Sequence, residues 1–177
     1  MDSMLSLVPV ETEQQKLQAC TLIEEYLQWI NQGAQREYGI QFDIDSMIAA
    51  DLSDEKFNPP FGRFYLVESD GQTAGVGCLK RIDQKVAEIQ RMYIRPEFRG
   101  KKIGRLLVER LIADARDIGY QKLRLESLKF LTTAHTLYRS VGFQDIDPYA
   151  GNSMRNYQVD EIVTAYQANA VFMEMDL

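Results

Sequence analysis

The chain contains few of the residues that build disulfide frameworks, metal sites and nucleophilic triads. Its 177 residues include two cysteines and one histidine. Cys20 and Cys78 each lie in an apolar pattern, which is typical of buried thiols in a reducing compartment rather than of a disulfide framework. With His135 as the single histidine, the sequence indicates no Cys-His or Ser-His-Asp arrangement and no metal site. We assign His135 a structural or surface role.

Long hydrophobic runs and an excess of positive charge are also missing. No window approaches the ~20 apolar residues of a membrane span, and the first residues have neither a basic segment nor a signal-like apolar core. Twenty basic and 26 acidic residues give a formal charge of −6. That charge opposes a broad attraction to nucleic acid or anionic lipid. We therefore expect a cytoplasmic protein with neither a nucleic-acid nor a membrane partner.

Length and hydrophobic periodicity predict one domain over residues 1–177, because 45% hydrophobic content fills one core and the chain is short for two. Apolar residues at helical spacing predict helices over 11–31, 45–52, 103–119 and 132–141, with Gly33 ending the first. Alternating patterns predict strands over 5–10, 63–68, 74–82, 86–94, 121–126 and 170–177. A strand meander followed by a strand-helix-strand unit predicts a mixed α/β sheet with helices on its faces.

One loop concentrates positive charge in this acidic chain. The stretch RPEFRGKKIGRLL, residues 95–107, carries five cationic side chains just before a helical pattern. A strand-to-helix junction exposes backbone N–H groups and the positive end of the helix dipole, which suits a phosphate or pyrophosphate. Gly100 and Gly104 allow close backbone approach. The loop by itself is explained at least as well by solvated basic residues at the start of a surface helix. Its charges come from Arg95, Arg99, Lys101, Lys102 and Arg105.

Motifs around that loop carry a family resemblance. The stretches EIQRMYIRPEFRGKKIGRLLVERLI, LRLES and AHTLYRSVGF together resemble the GNAT superfamily of N-acetyltransferases, which use acetyl-coenzyme A (acetyl-CoA). The similarity is strong over about residues 63–147, and EYLQWI and VFMEMDL extend it towards an uncharacterised bacterial subgroup. The family loop pattern is Arg or Gln, two residues, Gly, one residue, Gly or Ala. It falls on Arg99, Lys102 and Gly104, with Lys102 in place of the middle glycine.

The resemblance implies a fold and a cofactor site. The fold is α/β (α+β), with a mixed, mostly antiparallel central sheet of six to seven strands flanked by about four helices. The fourth strand bulges and separates from the fifth, so that the backbone of Met92 and Ile94 pairs with the pantetheine arm of acetyl-CoA. No metal is implied. The coenzyme's adenine and pyrophosphate would lie along Arg99, Gly100, Lys101, Lys102, Ile103, Gly104 and Arg105.

Two residues match catalytic positions of the resembled family. Tyr138, in HTLYRSVGF, matches a tyrosine that commonly protonates the coenzyme thiolate. Glu88, in AEIQRMYI, has the spacing at which some members carry the general base. Strand alternation places Glu88, Gln90, Met92 and Ile94 on one face unless a bulge intervenes. The open alternatives are a Tyr138 that only packs near Phe143 and a Glu88 that is exposed on the strand.

The implied reaction is transfer of an acetyl group to a primary amine by direct attack in a ternary complex. A small-molecule amine is the expected acceptor; a peptide or protein amine, or a non-catalytic acyl-CoA sensor, is the alternative. Residues 148–170, which include Tyr149, Tyr157 and Tyr166, form either an acceptor-site flap or a surface insertion. Arg91 is explained equally by an acceptor carboxylate and by a structural ion pair. A homodimer through the final strands stays open.

Overall fold

The computed structural model describes residues 4–53, 55–149 and 158–177. Across these ranges the chain forms seven strands, five α-helices and one 3₁₀ turn. In chain order they are β1 (Leu5–Pro9), α1 (Glu13–Tyr38), α2 (Ile44–Ser53), β2 (Arg63–Ser69), β3 (Gln72–Arg81), β4 (Val86–Ile94), the 3₁₀ turn Pro96–Phe98, α3 (Ile103–Ile118), β5 (Lys122–Leu128), α4 (Thr132–Ser140), β6 (Gln144–Ile146), α5 (Asp160–Ala168) and β7 (Ala170–Asp176).

The seven strands form one sheet in the order β1-β2-β3-β4-β5-β7-β6. The β4–β5 pair is parallel, and the other five neighbouring pairs are antiparallel. The predicted mixed, mostly antiparallel sheet is therefore confirmed. Helix α5 is a fifth helix beyond the four predicted ones, and the three residues of β6 are also an addition. Both elements lie in stretches too short or too mixed in polarity for their period to stand out.

The sheet opens between β4 and β5. These strands pair only from Val86–Glu88 to Lys122–Arg124, and no pairing follows towards their C-terminal ends. On its other side, β4 carries one extra residue, because Val76 lies opposite Tyr93 while Cys78 lies opposite Gln90. Arg91 in this bulge has a φ of 52°, in the left-handed region. The β4 backbone beyond Glu88 therefore presents a strand edge to the gap.

The bulge also moves side chains to opposite faces of the sheet. Cys78, which lies opposite Gln90, belongs to the core under α1 and α2. Met92 and Ile94 instead pack into the core under α3, which is built around Leu107. Since a bulge inserts one residue into a period of two, every side chain after it changes face. The bulge expected in the fourth strand is therefore present, and Glu88 and Gln90 do not share a face with Met92 and Ile94.

Helix α1 is longer than the sequence pattern predicts. Thr12 and Gln15 form a capping box at its start, and the helix ends at Gly39, whose φ is 66°. Gly33, predicted as the stop, lies inside the helix. An ideal Cβ on Gly33 would lie 2.3 Å from Cζ of Phe130. Gly33 is therefore needed for the close approach of Phe130, and Gly39 supplies the left-handed residue that ends the helix.

Helix α3 begins at a strained residue. Lys102, its N-cap, has φ 60° and ψ 11° and makes no side-chain capping hydrogen bond. Gly100, two residues earlier, has a φ of 79°. The left-handed conformation costs an L-residue with a Cβ roughly 1–2 kcal/mol. Lys102 thus keeps a backbone conformation that glycine adopts without this cost.

We expect Lys102→Gly to raise the free energy of unfolding by up to about 1 kcal/mol, because relief of the left-handed strain exceeds the added entropy of an unfolded glycine. Urea unfolding measures the change. Lys101→Gly is the matched control, since Lys101 is exposed and has no positive φ. It should lower the free energy of unfolding by roughly 0.5–1 kcal/mol. Equal losses in the two variants would contradict the strain at Lys102.

Candidate active site

A cleft of about 860 Å³ occupies the gap between β4 and β5. Its walls come from both strands, from α1, the start of α2, the first turn of α3 and α4, and from Tyr166 of α5. Cavities of roughly 300–1,000 Å³ are the usual size of cofactor and small-molecule sites. Separation of two strands in mid-sheet therefore creates a ligand-sized space that opens onto the start of a helix.

The basic loop forms one end of the cleft. Arg99, Lys102 and Arg105 line it, together with the backbone of Gly100 and Gly104. The first intrahelical bond of α3 runs from the Leu106 N–H to the Lys102 carbonyl at 3.1 Å. The preceding amides of the first turn have no acceptor within the helix, and the positive end of the helix dipole lies there. This end of the cleft is suited to a phosphate or pyrophosphate.

Arg99 is held in place by its surroundings. Its Nε donates to the Ile94 carbonyl at 2.9 Å, and its guanidinium carbon lies 4.9 Å from the centroid of the Trp29 ring and 5.8 Å from that of Tyr93. Lys101, by contrast, is outside the described lining of the cleft, and its Nζ lies 5.6 Å from the centroid of the Phe98 ring. The other eight residues expected at the cofactor site all line the cleft: Met92, Ile94, Arg99, Gly100, Lys102, Ile103, Gly104 and Arg105.

Glu88 lies in the cleft wall on the other side of the bulge. Only 1% of its surface is exposed. The Gln90 side-chain amide donates a short hydrogen bond to Oε1, and the Tyr149 hydroxyl donates to Oε2 at 2.7 Å. The alternative of an exposed strand glutamate is therefore wrong. The carboxylate is buried and held in one orientation by a donor on each oxygen.

Tyr149 supports Glu88 from outside the described lining of the cleft. Its ring packs edge-on against Phe172 with centroids 5.5 Å apart, and the Arg124 guanidinium carbon lies 4.5 Å from its centroid. Burial, followed by the charge of Glu88, raises the pKa of the Tyr149 phenol. This tyrosine therefore remains a hydrogen-bond donor to Glu88 at neutral pH. Sequence reasoning grouped Tyr149 with a flap or insertion, because nothing in its neighbours indicates a contact with β4.

Glu126 brings a second carboxylate to the same part of the cleft. It lies two residues beyond Arg124, the last β5 residue that pairs with β4, and it lines the cleft. Burial, followed by the charge of Glu88, raises its pKa well above the ordinary value, while Lys80, Arg91 and a hydrogen bond with Tyr166 act in the opposite direction. Sequence reasoning missed Glu126 as a site residue. The alternation of polar and apolar residues in LRLES is typical of any strand. Glu126 lines a cleft only because β5 diverges from β4.

Tyr138 reaches the cleft from α4. It is 7% exposed and packs edge-on against Phe143, with ring centroids 6.0 Å apart. Burial, followed by the nearby Tyr26 phenol, raises its pKa. Tyr138 therefore both packs against Phe143 and lines the cleft. The Tyr138 phenol keeps its proton at neutral pH.

The alternatives for Arg91 are resolved by an ion pair. Its Nε lies 2.5 Å from Asp51 Oδ2, and its Nη2 lies 3.2 Å from Oδ1. Lys56 also contacts Asp51, with 2.7 Å between Nζ and Oδ1. The pair joins the β4 bulge to α2, and both side chains are largely buried. Arg91 therefore has the structural role rather than that of a free acceptor-binding cation.

His135 is buried inside α4, with its Nε2 2.5 Å from the Ser127 Oγ, and burial lowers its pKa. His135 therefore has a structural role in the protein interior rather than a role at the surface.

Within 4–53, 55–149 and 158–177, no group of three or more His, Cys, Asp or Glu side chains is placed to bind a metal ion. No helix in those ranges is both long and apolar enough to span a membrane. Tyr157 and the rest of 150–157 lie outside the described residues.

Comparisons with known proteins agree with this geometry. The profile of the acetyltransferase (GNAT) family matches residues 23–143. An uncharacterised N-acetyltransferase of Schizosaccharomyces pombe is 33% identical over 141 residues, covering 76% of this chain and 80% of that protein. An uncharacterised N-acetyltransferase of Dictyostelium discoideum is 51% identical over 72 residues, or 41% of this chain, and the match spans only 33% of that protein.

Among solved structures, the PaiA N-acetyltransferase of Thermoplasma acidophilum, crystallised with coenzyme A, has the same fold. The TM-score is 0.70 at 19% identity, over 98% of this chain and 99% of that one. This likeness concerns the fold alone. Together, the family profile over residues 23–143 and the 33% identity to the fission-yeast relative show that the chain belongs to the GNAT acetyltransferase family.

Proposed function

We propose that the protein transfers the acetyl group of acetyl-CoA to the primary amine of a small molecule, by direct attack in a ternary complex. The observation that carries this proposal is the cleft itself. It joins a phosphate-binding helix start to a buried, oriented carboxylate and a protonated tyrosine. An acetyl-CoA molecule whose phosphates lie at the start of α3 would extend along the cleft and bring its acetyl group towards Glu88 and Tyr138.

The residues of the cleft fit acetyl-CoA. The first-turn amides of α3, with Arg99, Lys102 and Arg105, would hold the pyrophosphate, and the β4 edge at Met92 and Ile94 would pair with the pantetheine arm. Lys102 keeps a glycine-like φ of 60°, so the lysine leaves the backbone path of the loop open. When bound, acetyl-CoA supplies an activated thioester and a thiol leaving group.

Glu88 would act as the general base. An amine that enters as an ammonium ion must lose a proton before its nitrogen lone pair can attack a carbonyl carbon. The Glu88 carboxylate would take that proton directly or through one water, while Gln90 and Tyr149 hold its orientation. The second proton leaves nitrogen as the amide forms, and it would pass to the departing thiolate directly or through water to give the free thiol. Since the amine attacks the thioester directly, the reaction needs no covalent nucleophile from the protein.

Tyr138 would assist departure of the thiolate. Because burial raises its pKa, the phenol keeps its proton and can donate a hydrogen bond to sulfur as negative charge develops. The same raised pKa opposes complete transfer of the proton to sulfur before the carbon–sulfur bond has broken. Hydrogen bonding to the leaving group is therefore the main contribution that we assign to Tyr138.

The position of Glu88 supports a small acceptor. The carboxylate is 1% exposed and lines the same cleft as Phe42, Ile44 and Met47, of which Phe42 and Met47 are also buried. A single amine on a slender molecule can enter such a space, whereas a folded protein surface must first extend a side chain into it. Small-molecule amines and protein amines can be compared directly as acceptors by measuring the release of free coenzyme thiol.

Calorimetric titration with acetyl-CoA tests the donor site without knowledge of the acceptor. We expect one-site binding to the wild type and at least roughly tenfold weaker binding to Gly104→Asp, because a carboxylate is placed against the pyrophosphate. Ala113→Asp adds the same charge to the exposed face of the same helix and should bind like the wild type. Equal affinity of all three proteins would rule out the proposed pyrophosphate site.

We expect Tyr138→Phe to lower the turnover number roughly 100-fold, with almost unchanged affinity for acetyl-CoA, because only the hydroxyl that contacts the leaving group is lost. Thiol release at saturating acetyl-CoA measures turnover, and calorimetry measures affinity. Tyr120→Phe is the control, since its buried hydroxyl donates to the Phe61 carbonyl at 2.8 Å, outside the cleft lining. An unaltered turnover number in Tyr138→Phe would remove this residue from the chemistry.

Glu88→Gln should lower the rate roughly 100-fold at neutral pH. The loss should shrink as pH rises towards ~10, where a primary amine is deprotonated without help. The pH profile of thiol release checks this, with the exposed Glu161→Gln as control. A variant profile parallel to that of the wild type would assign the base to another group.

A further inference from the structure

We infer that Glu126 binds the ammonium group of the acceptor, and that the acceptors are primary amines without a carboxylate beside the amino group. This inference rests on the proposed function and names its substrate class. It comes from three features of the cleft: an unsatisfied carboxylate oxygen, the charges that face it, and the apolar wall beside it.

The first feature is the state of the Glu126 carboxylate. Its Oε2 is buried, and within the part of the chain that the structure describes it accepts no hydrogen bond. Tyr166 contributes a hydrogen bond to the group. A buried polar atom without a partner is costly and therefore unusual in a native protein. Glu126 lines the cleft, and the terminal torsion of a glutamate is soft, so rotation brings either oxygen to the lumen. A ligand N–H group would satisfy it.

The second feature is the set of charges around Glu126. Glu88 on β4 is the other carboxylate that lines this part of the cleft, and Lys80 on β3 lies opposite Glu88 in the strand register. Arg91 also lines the cleft but holds Asp51 with two hydrogen bonds. Burial, the largest effect, and then Glu88 disfavour ionisation of Glu126, and they outweigh the opposite effect of Lys80 and Arg91. A nearby ammonium ion would add to the side that favours the carboxylate. The charges at this end therefore favour a cation over an anion.

Charge is also divided along the cleft. The cations that line its other end, Arg99, Lys102 and Arg105, lie at or beyond the loop that follows Ile94. Glu88 lies six residues before Ile94 on β4, which is roughly 20 Å along an extended strand. An anionic group of the acceptor would therefore face carboxylates near the reacting amine, with the basic loop occupied by the phosphates of the donor.

The third feature is an apolar wall next to the carboxylates. Phe42, just before α2, and Ile44 and Met47, in the first turn of α2, line the cleft on the face of the sheet that carries Glu88. Tyr166 packs edge-on against Phe42 with ring centroids 6.0 Å apart. This wall suits the hydrocarbon or aromatic body of an amine. The favoured acceptor is thus a cationic head on an apolar body.

The test uses acceptor pairs that differ only in the carboxylate: phenethylamine with phenylalanine, tyramine with tyrosine, and cadaverine with lysine. At saturating acetyl-CoA, we expect kcat/KM for thiol release to be at least tenfold higher for the amine of each pair. Glu126→Gln, which keeps the shape and removes the charge, should raise KM for the amines about tenfold and leave acetyl-CoA affinity unchanged. The exposed Glu161→Gln should change neither value.

The possible results distinguish a failure of the role of Glu126 from a failure of the proposed acetyltransferase function. Amino acids that react as well as their decarboxylated partners, or an unchanged KM in Glu126→Gln, would overturn the role of Glu126 and leave the acetyltransferase proposal standing. If acetyl-CoA binds but no amine releases thiol, the proposed small-molecule function fails. Thermal stabilisation of the coenzyme A complex by the same amines then still tests Glu126. Stabilisation that Glu126→Gln weakens supports the binding role, and equal or absent stabilisation overturns it.

Discussion

The extra residue at Arg91 in β4 is the constraint on which the cleft depends. Its φ of 52° is unfavourable for a residue with a side chain, and the ion pair with Asp51 holds it there. Breaking a buried ion pair from one side typically costs about 3–5 kcal/mol. The pair also joins the bulge to α2, so the strained strand and a helix that lines the cleft near Glu88 form one unit. The strand edge that β4 leaves open depends on this unit.

The bulge places the β4 side chains that precede it and those that follow it on opposite faces of the sheet. Before it, Glu88 and Gln90 face the side of the sheet covered by α1 and α2, where polar groups meet an apolar wall. After it, Met92 and Ile94 face α3, whose first turn offers amides and positive charge. A regular strand would place all four side chains on one face. The irregularity is therefore what sets the Glu88 carboxylate on one side of the gap and the first turn of α3 on the other.

The charged groups at the two ends of the cleft differ in sign and in exposure to water. At α3, positive charge lies at the surface, where arginine and lysine remain hydrated until an anion binds. At the other end, Glu88 and Oε2 of Glu126 are buried, so a hydrogen bond to either carboxylate is electrostatically stronger than it would be in water. Tyr149 and Tyr166 supply those hydrogen bonds from the last third of the chain, which explains how a stretch far from the loop motif takes part in the site.

The sequence by itself determined the sheet class, the strand meander, helices α3 and α4, and the loop from Arg99 to Arg105, because each has a local signature: a period, a turn or a glycine at a helix start. The tertiary structure decided what local patterns do not encode. Gly33 looks like a helix stop until Phe130 packs against it, Arg91 looks like an ordinary strand residue until Asp51 holds it, and Tyr149 and Glu126 become site residues only where β4 and β5 separate. The physical reason is that these roles arise from contacts between residues distant in sequence, whereas propensity and periodicity report only neighbours along the chain.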